Sequence, residues 1–273
     1  MVPTVALLDA GDGRRLERFG AVVTDRPAPA ATGERRDPSA WSAAAIRYTE
    51  PGGWEARSPH PDPWLVAVDG LTLELRPTPA GQVGLFPEHL AFGDWLVGQV
   101  GDRPASVLHL FAYTGVLTLR LAAAGASVVH ADASRPTVAW ARENAARSGL
   151  AEHPIRWLVD DASAFVAREG RRGHRYDGIV LDPPSYGHGP GGRAWRLEAD
   201  LDALLAGCAA ILRPDGFVLL TAHGRTTDAA WLGERLASAA PERAALVEAG
   251  PTILRAESGA TLPLGAWARI MRS

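Results

Sequence analysis

A doubly wound α/β fold with a mostly parallel sheet, preceded by a small β-rich subdomain, is what the sequence predicts from three observations. From Leu85 onward, β-prone runs alternate with helix-prone segments five times, the pattern of a parallel sheet covered on both faces. Two further β-prone runs, Ala245 to Leu254 and Leu264 to Ile270, close the chain as a terminal pair containing an antiparallel strand. Before Leu85, Trp64 to Leu75 reads WLVAV-DG-LTLEL, and Asp69-Gly70 between β-prone runs signals a type I′ hairpin because both turn positions need positive φ.

In chain order, Thr4 to Thr24 reads as short strands around Gly11-Asp12-Gly13. DRPAPAATGERRDP, Asp25 to Pro38, is too rich in Pro, Ala and charge to pack, so a mobile segment is expected over 25–40. The β-rich subdomain is placed at 1–80 and the α/β domain at 81–273. Strands are expected at Ala105 to Phe111, Ser127 to Ala131, Ile155 to Val159, Gly178 to Leu181 and Gly216 to Thr221. Helices are expected at Val116 to Ala124, Arg135 to Ser148, Ala162 to Glu169, Leu197 to Leu212 and Asp228 to Ala239. In such a fold, ligands bind at the carboxyl ends of the strands.

The 273 residues, 47% hydrophobic and 22% charged, describe a soluble globular protein with ample core. A net charge of -3 supplies no global basic field for nonspecific nucleic-acid binding. All 28 basic residues are arginine, so any mechanism that needs lysine is excluded. The single cysteine, Cys208, rules out an internal disulfide framework and a thiolate metal cluster. MVPTVALLDAGDG has no signal-peptide pattern, and no apolar run reaches the roughly 18 residues of a membrane span. A cytoplasmic enzyme or binding protein is expected.

Four strand ends carry the candidate chemistry. After the first, Phe111-Ala112-Tyr113-Thr114-Gly115 turns into a helix whose N-terminus favours a carboxylate or phosphate, although such a turn also serves as plain connection. After the second comes Asp132, near the offset at which an acid takes ribose hydroxyls; Ser134 is better placed to cap the next helix, which leaves Asp132 for the ribose. After the third, Asp161 either accepts from an adenine amino group or caps the helix at Ala162, and both can hold together. After the fourth, Asp182-Pro183-Pro184 is either a turn or a rigid elbow: the prolines enforce extended backbone and lack N–H donors, so Asp182 and nearby carbonyls present acceptors while Tyr186 stacks on a planar group. A flat, amino-bearing molecule such as a nucleobase suits that elbow.

With FAYTG, HADAS, ARENA, DDA and LDPPSYG at successive strand ends, the sequence resembles the class I S-adenosylmethionine-dependent methyltransferases. It is most similar to the bacterial 23S ribosomal RNA large-subunit methyltransferases that modify cytosine C5 or guanine N7, in a short branch without a PUA domain that shares GLFPE and an HPIRW-like segment. The resemblance runs from about Leu7 to Ala268 and is densest from Gly84 to Thr221. It implies a Rossmann-like methyltransferase sheet and S-adenosylmethionine as cofactor. It places Thr114 and Gly115 at the methionine moiety, Asp132 at the ribose and Asp161 at adenine, with Phe111, Tyr113, Ala133, Ala162 and Asp182 also among the cofactor-binding residues. Asp182 faces the methyl-transfer centre with Pro183, Pro184 and Tyr186, while Phe86 and His89 cover the cofactor. His89 stands where the relatives usually carry glutamine. Gly187 to Gly192, with Trp195 and Arg196, would form a substrate lid.

Pyrimidine C5 methylation needs a thiolate, which the relatives carry after the fifth strand; here that stretch reads LLTAHGR, with Ala222 and His223. Cys208, among Leu204, Leu205 and Ile211, reads as a small core residue. A target that is already nucleophilic, such as a ring nitrogen or exocyclic amine, is therefore expected, with no metal required. His223 is either an assisting base or incidental. The expected acceptor is a base of RNA, with Arg14, Arg15, Arg18, Arg168, Arg171, Arg172 and Arg175 as candidate phosphate contacts. A small-molecule acceptor is the alternative. A nicotinamide oxidoreductase lacks its three-glycine loop here, and a noncatalytic binding protein would not need the three strand-end acids.

Overall fold

The central strands carry apolar side chains on both faces: Val107, Leu108 and Leu110 in one and Ile179, Val180 and Leu181 in another are all buried. Strands of this kind need cover on both sides. A computed structural model, which describes residues 4–101, 104–188, 194–224 and 227–272, shows where that cover comes from. The chain divides into two compact units, one of Met1–Ala91 with Ile253–Leu264 and one of Phe92–Thr252 with Gly265–Ser273.

In the first unit, β1 (Val5–Gly11), β2 (Arg14–Phe19), β3 (Val22–Pro27), β4 (Ile46–Thr49) and β5 (Gly53–Ala56) form a sheet in that order, and β6 (Trp64–Val68) pairs with β7 (Leu71–Leu75) as a separate hairpin. Asp69 (φ 49°) and Gly70 (77°) are both left-handed, as the Asp-Gly pair predicts, and Asp12 (54°) with Gly13 (72°) turns β1 into β2 in the same way. β4 and β5 are additional to the sequence expectation; at four residues each they are too short for alternation to announce them.

The segment 25–40, expected to be mobile, has defined bonding partners along part of its length, while most of 32–39 is exposed. Its first residues belong to β3, Ala28 and Ala31 are buried, and the Asp12 and Gly13 N–H groups donate to the Gly33 and Ala31 carbonyls at 2.7 and 2.8 Å. The remainder is tied to Asp9, a fully buried carboxylate that accepts from the backbone N–H groups of Ala10, Arg36 and Asp37, the Trp41 indole (2.8 Å) and the Ser258 hydroxyl (2.7 Å). Composition does not register one distant acceptor that satisfies several loop donors.

In the second unit, α1 (Gly93–Val100) leads into β8 (Ser106–Leu110), α2 (Val116–Ala123), β9 (Ser127–Asp132), α3 (Arg135–Arg147), β10 (Ile155–Val159), α4 (Ala162–Arg171) and β11 (Tyr176–Leu181). A short hairpin, β12 (Tyr186–His188) with β13 (Ala194–Arg196), precedes α5 (Leu197–Ile211), β14 (Leu212–Ala222) and α6 (Ala229–Ala239). β15 (Val247–Arg255) and β16 (Thr261–Ile270) complete the chain. The seven-stranded sheet has the order β10-β9-β8-β11-β14-β16-β15, parallel from β10 to β14, with β16 antiparallel to β14. Each expected strand and helix of the α/β part is present; α1 and the β12–β13 hairpin are additional, and β14 starts at Leu212 where helix was expected.

From β8 the chain winds outward through β9 and β10, then returns to β11 on the other side of β8. That reversal opens a crevice at the carboxyl ends of β8 and β11. Close packing across β11 depends on Gly178, where a Cβ would lie 2.1 Å from the Phe217 ring.

Burial pushes the Asp9 carboxyl up, but the donors from Ser258, Trp41, Asp37 and Ala10 outweigh it and hold the group below the usual aspartate value. With the folded value the lower one, Asp9 stabilises the fold above an unfolded-state value of about 3.9, and that contribution is lost as pH falls through the folded value. Asp9→Asn is expected to lower the unfolding free energy by about 1.5–3 kcal/mol at pH 7. Urea denaturation should show a smaller loss near pH 3; an equal loss at both pH values would show that the charge is not what holds the loop.

Candidate active site

Past β8 the backbone alternates in hand: Phe111 (φ 53°), Tyr113 (50°) and Gly115 (91°) are left-handed. Two non-glycine residues in that region cost about 1–2 kcal/mol each, a strain that persists where surrounding bonds over-determine it. Those bonds are present. The Ala112 N–H donates to the Ala131 carbonyl (3.2 Å), the Tyr113 N–H to Asp132 Oδ2 (2.9 Å) and Asn144 Nδ2 to the Thr114 carbonyl (3.1 Å). Gly115 begins α2 with no side-chain cap, so first-turn N–H groups and the helix dipole favour an anionic ligand group. A Cβ on Gly115 would stand 3.3 Å from Ala141 Cβ and 3.5 Å from His130 Cε1.

Beneath this turn lies a polar chain that the sequence reading missed. The Thr118 hydroxyl sits between His109 Nδ1 (2.7 Å) and His130 Nδ1 (2.9 Å), with all three side chains buried. Burial drives His130 down to about 3, against an opposing hydrogen bond with the Tyr113 backbone, so it is neutral at physiological pH. The signal was available, since His109 and His130 interrupt otherwise apolar strands and pair with each other in the ladder.

Asp132, at the end of β9, accepts from the Tyr113 N–H through Oδ2 and from the Ser134 N–H through Oδ1, both at 2.9 Å. The expectation that it has no structural duty is therefore wrong: it joins two turns. Burial raises its pKa and outweighs those two bonds. Ser134 caps α3 as expected, and Ala133 between them is exposed. Asp161 caps α4 by accepting from the Ala164 N–H at 2.8 Å, with Ala162 buried as the first helical residue. Asp160 accepts from the Asp161 N–H and pairs with Arg168.

At the end of β11 the Asp182-Pro183-Pro184 elbow is bonded to the exit of β14. The Thr221 hydroxyl donates to Asp182 Oδ1 at 2.6 Å, and the Ser185 hydroxyl donates to the His223 carbonyl at 2.7 Å. His223 Nε2 lies 3.5 Å from the same Oδ1. The nearby carbonyls do not all serve as ligand acceptors, as had been expected. The Pro184 carbonyl takes the Trp195 indole N–H (2.7 Å), and the Ser185 carbonyl takes the Leu197 N–H (3.1 Å). Tyr186, on β12, exposes 55% of its surface.

Phe111–Gly115, Asp132–Ala133, Asp161–Ala162 and Asp182 thus stand at the carboxyl ends of four neighbouring strands. Phe86 and His89 belong to the first unit, where their rings lie 5.5 Å apart. Of the expected lid, residues 189–193 lie outside the described residues. Trp195 is buried, its ring 5.1 Å from that of Phe111.

The candidate phosphate contacts also change. Arg14 is paired with Asp25, Arg15 is buried beside Glu17 (3.4 Å), and Arg18 pairs with Glu257 (2.9 Å). Arg172 pairs with Glu169 (3.0 Å), while Arg171 and Arg175 are exposed. Arg175 adjoins the start of β11, which at about 3.3 Å per residue is about 17 Å from the end that carries Asp182.

The S-adenosylmethionine-dependent methyltransferase family matches residues 15–253, a span that holds all four strand ends. The chain belongs to this family. A structure of a SAM-dependent methyltransferase from Agrobacterium tumefaciens is similar over 100% of this chain and 91% of that one, with TM-score 0.93 and 33% identity. A structure from Streptococcus mutans, at 13% identity, covers 98% of this chain and 75% of its own with TM-score 0.78, which shows a shared fold. Curated relatives named ribosomal RNA large subunit methyltransferase K/L include those of Magnetococcus marinus, 30% identical over 58% of this chain, and Pseudoalteromonas atlantica, 32% identical over 57%. The chain spans about a fifth of their length, 22% in both cases.

For this methyltransferase turn, Gly115→Ala places a Cβ at φ 91° against Ala141 and His130. It is expected to lower the unfolding free energy by about 1–2 kcal/mol or more, measured by urea denaturation. Parental stability would show that the turn relaxes without cost.

Proposed function

We propose that this chain transfers a methyl group from S-adenosylmethionine to a nitrogen of a base in RNA. The observation that carries the reading is the family match, which includes the strand ends at Gly115, Asp132, Asp161 and Asp182. When bound, the cofactor supplies a methyl group already activated on a sulfonium, so the protein's task is to place two reactants in line and exclude water. Positioning of that kind accounts for about 7–11 kcal/mol of a barrier.

The residues fit the cofactor. The uncapped start of α2 and the left-handed turn before it suit its carboxylate. Each Asp132 oxygen accepts one N–H, and a carboxylate oxygen can take a second donor, here a ribose hydroxyl. Asp161 caps α4 through Oδ1 and by the same capacity takes an adenine amino group. Phe86 and His89 enter the proposal through the resemblance alone. Asp182 receives the acceptor's amino group, and the exposed ring of Tyr186 stacks on the base.

The thiol chemistry supports a nitrogen target over pyrimidine C5. Cys208 lies on α5 inside the core, and burial pushes its thiol up to about 12, so it supplies no nucleophile for C5 chemistry. RNA as acceptor rests on the names of the K/L relatives. Small-molecule methylation is the second reading, favoured by the withdrawal of Arg14 and Arg15 into ion pairs. The expectation of a cytoplasmic protein stays a proposal; among the described residues, no helix is long and apolar enough to cross a membrane.

Incubation with tritiated S-adenosylmethionine and either total RNA or a metabolite extract from a deletion strain decides between acceptors; label in RNA that nucleoside mass spectrometry assigns to a base nitrogen supports the proposal. Asp182→Ala is expected to abolish transfer with cofactor affinity retained in calorimetry, whereas Asp132→Ala weakens cofactor affinity. Transfer at the parental rate by the Asp182 variant would remove it from the active site. Cys208→Ala should keep methyl transfer, and its loss in folded protein would reopen the thiolate route.

A further inference from the structure

We infer that Thr221 is a positioning residue for methyl transfer, setting the Asp182 carboxylate through a hydrogen bond that neither Pro183 nor Pro184 can make. The inference rests on the proposed role of Asp182. Three other acids of this fold show how a carboxylate is held by the backbone just ahead of it. Asp132 accepts the N–H two residues ahead, from Ser134; Asp9 accepts the N–H of Ala10; Asp161 accepts that of Ala164. At Asp182 the next two residues are Pro183 and Pro184, and neither has an N–H. The prolines that straighten the elbow therefore remove the two nearest local clamps.

The neighbouring strand replaces them. Leu181 of β11 is in parallel register with Leu220 of β14, so Asp182 and Thr221 are the next residues outward on adjacent strands. Thr221 is buried, and its branched Cβ restricts χ1, so the hydroxyl is presented with little rotamer freedom to lose. Its single proton goes to Asp182 Oδ1 at 2.6 Å, a charge-assisted bond of the short and strong kind. A second bond, from the Ser185 hydroxyl to the His223 carbonyl at 2.7 Å, ties the far side of the prolines to the same strand exit. One oxygen of the Asp182 carboxylate is thus held from β14, by a hydroxyl that does not touch the acceptor.

Thr221→Val keeps the shape and removes the donor; Thr221→Ser keeps the donor. Single-turnover methylation of the acceptor pool that the parent labels, with tritiated S-adenosylmethionine at saturation, is expected to slow about 10- to 100-fold in the valine variant, the scale of a displacement of about 1 Å in a reacting group. Cofactor affinity by calorimetry should stay within about twofold, and the serine variant should recover to within about threefold of the parental rate. A parental rate in Thr221→Val alongside an inactive Asp182→Ala overturns the inference and leaves the role of Asp182 standing; an active Asp182→Ala overturns that role itself. Loss of transfer in both Val and Ser variants, with folding intact by urea denaturation, overturns the donor assignment. If the valine variant does not fold, equal rates in Thr221→Ser and Thr221→Ala do the same.

Discussion

The parallel ladder from β10 to β14 is the constraint on which the rest of the second unit depends. Parallel strands run in one direction, so their carboxyl ends share one edge of the sheet, and a residue one step past each end is brought beside its neighbours whatever its distance in sequence. Asp132, Asp161 and Asp182 are separated by tens of residues and gathered by that geometry alone. The ladder in turn requires cover on both faces, which explains why β8, β11 and β14 are rich in buried apolar residues and why Gly178 yields its side-chain volume to Phe217.

At such an edge each strand stops donating to the ladder, and its last groups must be satisfied in another way. The structure uses two solutions. Around β8 and β9, backbone N–H groups meet carboxylates: Asp132 takes one from its own turn and one from the turn after β8, and the strain of two left-handed residues is held in place by those bonds. Around β11 the prolines deny the chain that option, and hydroxyls of Ser185 and Thr221 carry the connection instead. One arrangement is built on backbone donors, the other on side-chain hydroxyls.

Buried polarity in this protein supports turns. His130 is held neutral beneath Gly115 and shares the Thr118 hydroxyl with His109, so a hydrogen-bonded ring without charge lies below the turn. In the first unit, Asp9 performs a comparable service with a charge, and the donors around it more than offset its burial. Arginines that composition offered as free cations are drawn into the same economy of pairing, Arg15 beside Glu17 and Arg14 beside Asp25.

Periodicity and turn chemistry determined most of the fold from the sequence alone. Alternation of apolar runs and helical segments located five strands and five helices, and Asp69-Gly70 marked its hairpin, because these are properties of contiguous residues. Short elements escaped: β4 and β5 have four residues each, and the β12–β13 hairpin has three on each side. Which residues occupy the strand ends was also legible, since each follows its strand directly. What those residues bond to was not. The partners of Asp9, Asp132 and Asp182 lie as many as 249 residues away, and only the tertiary structure decides them, because a hydrogen bond of 2.6–2.9 Å depends on register and packing rather than on local spacing.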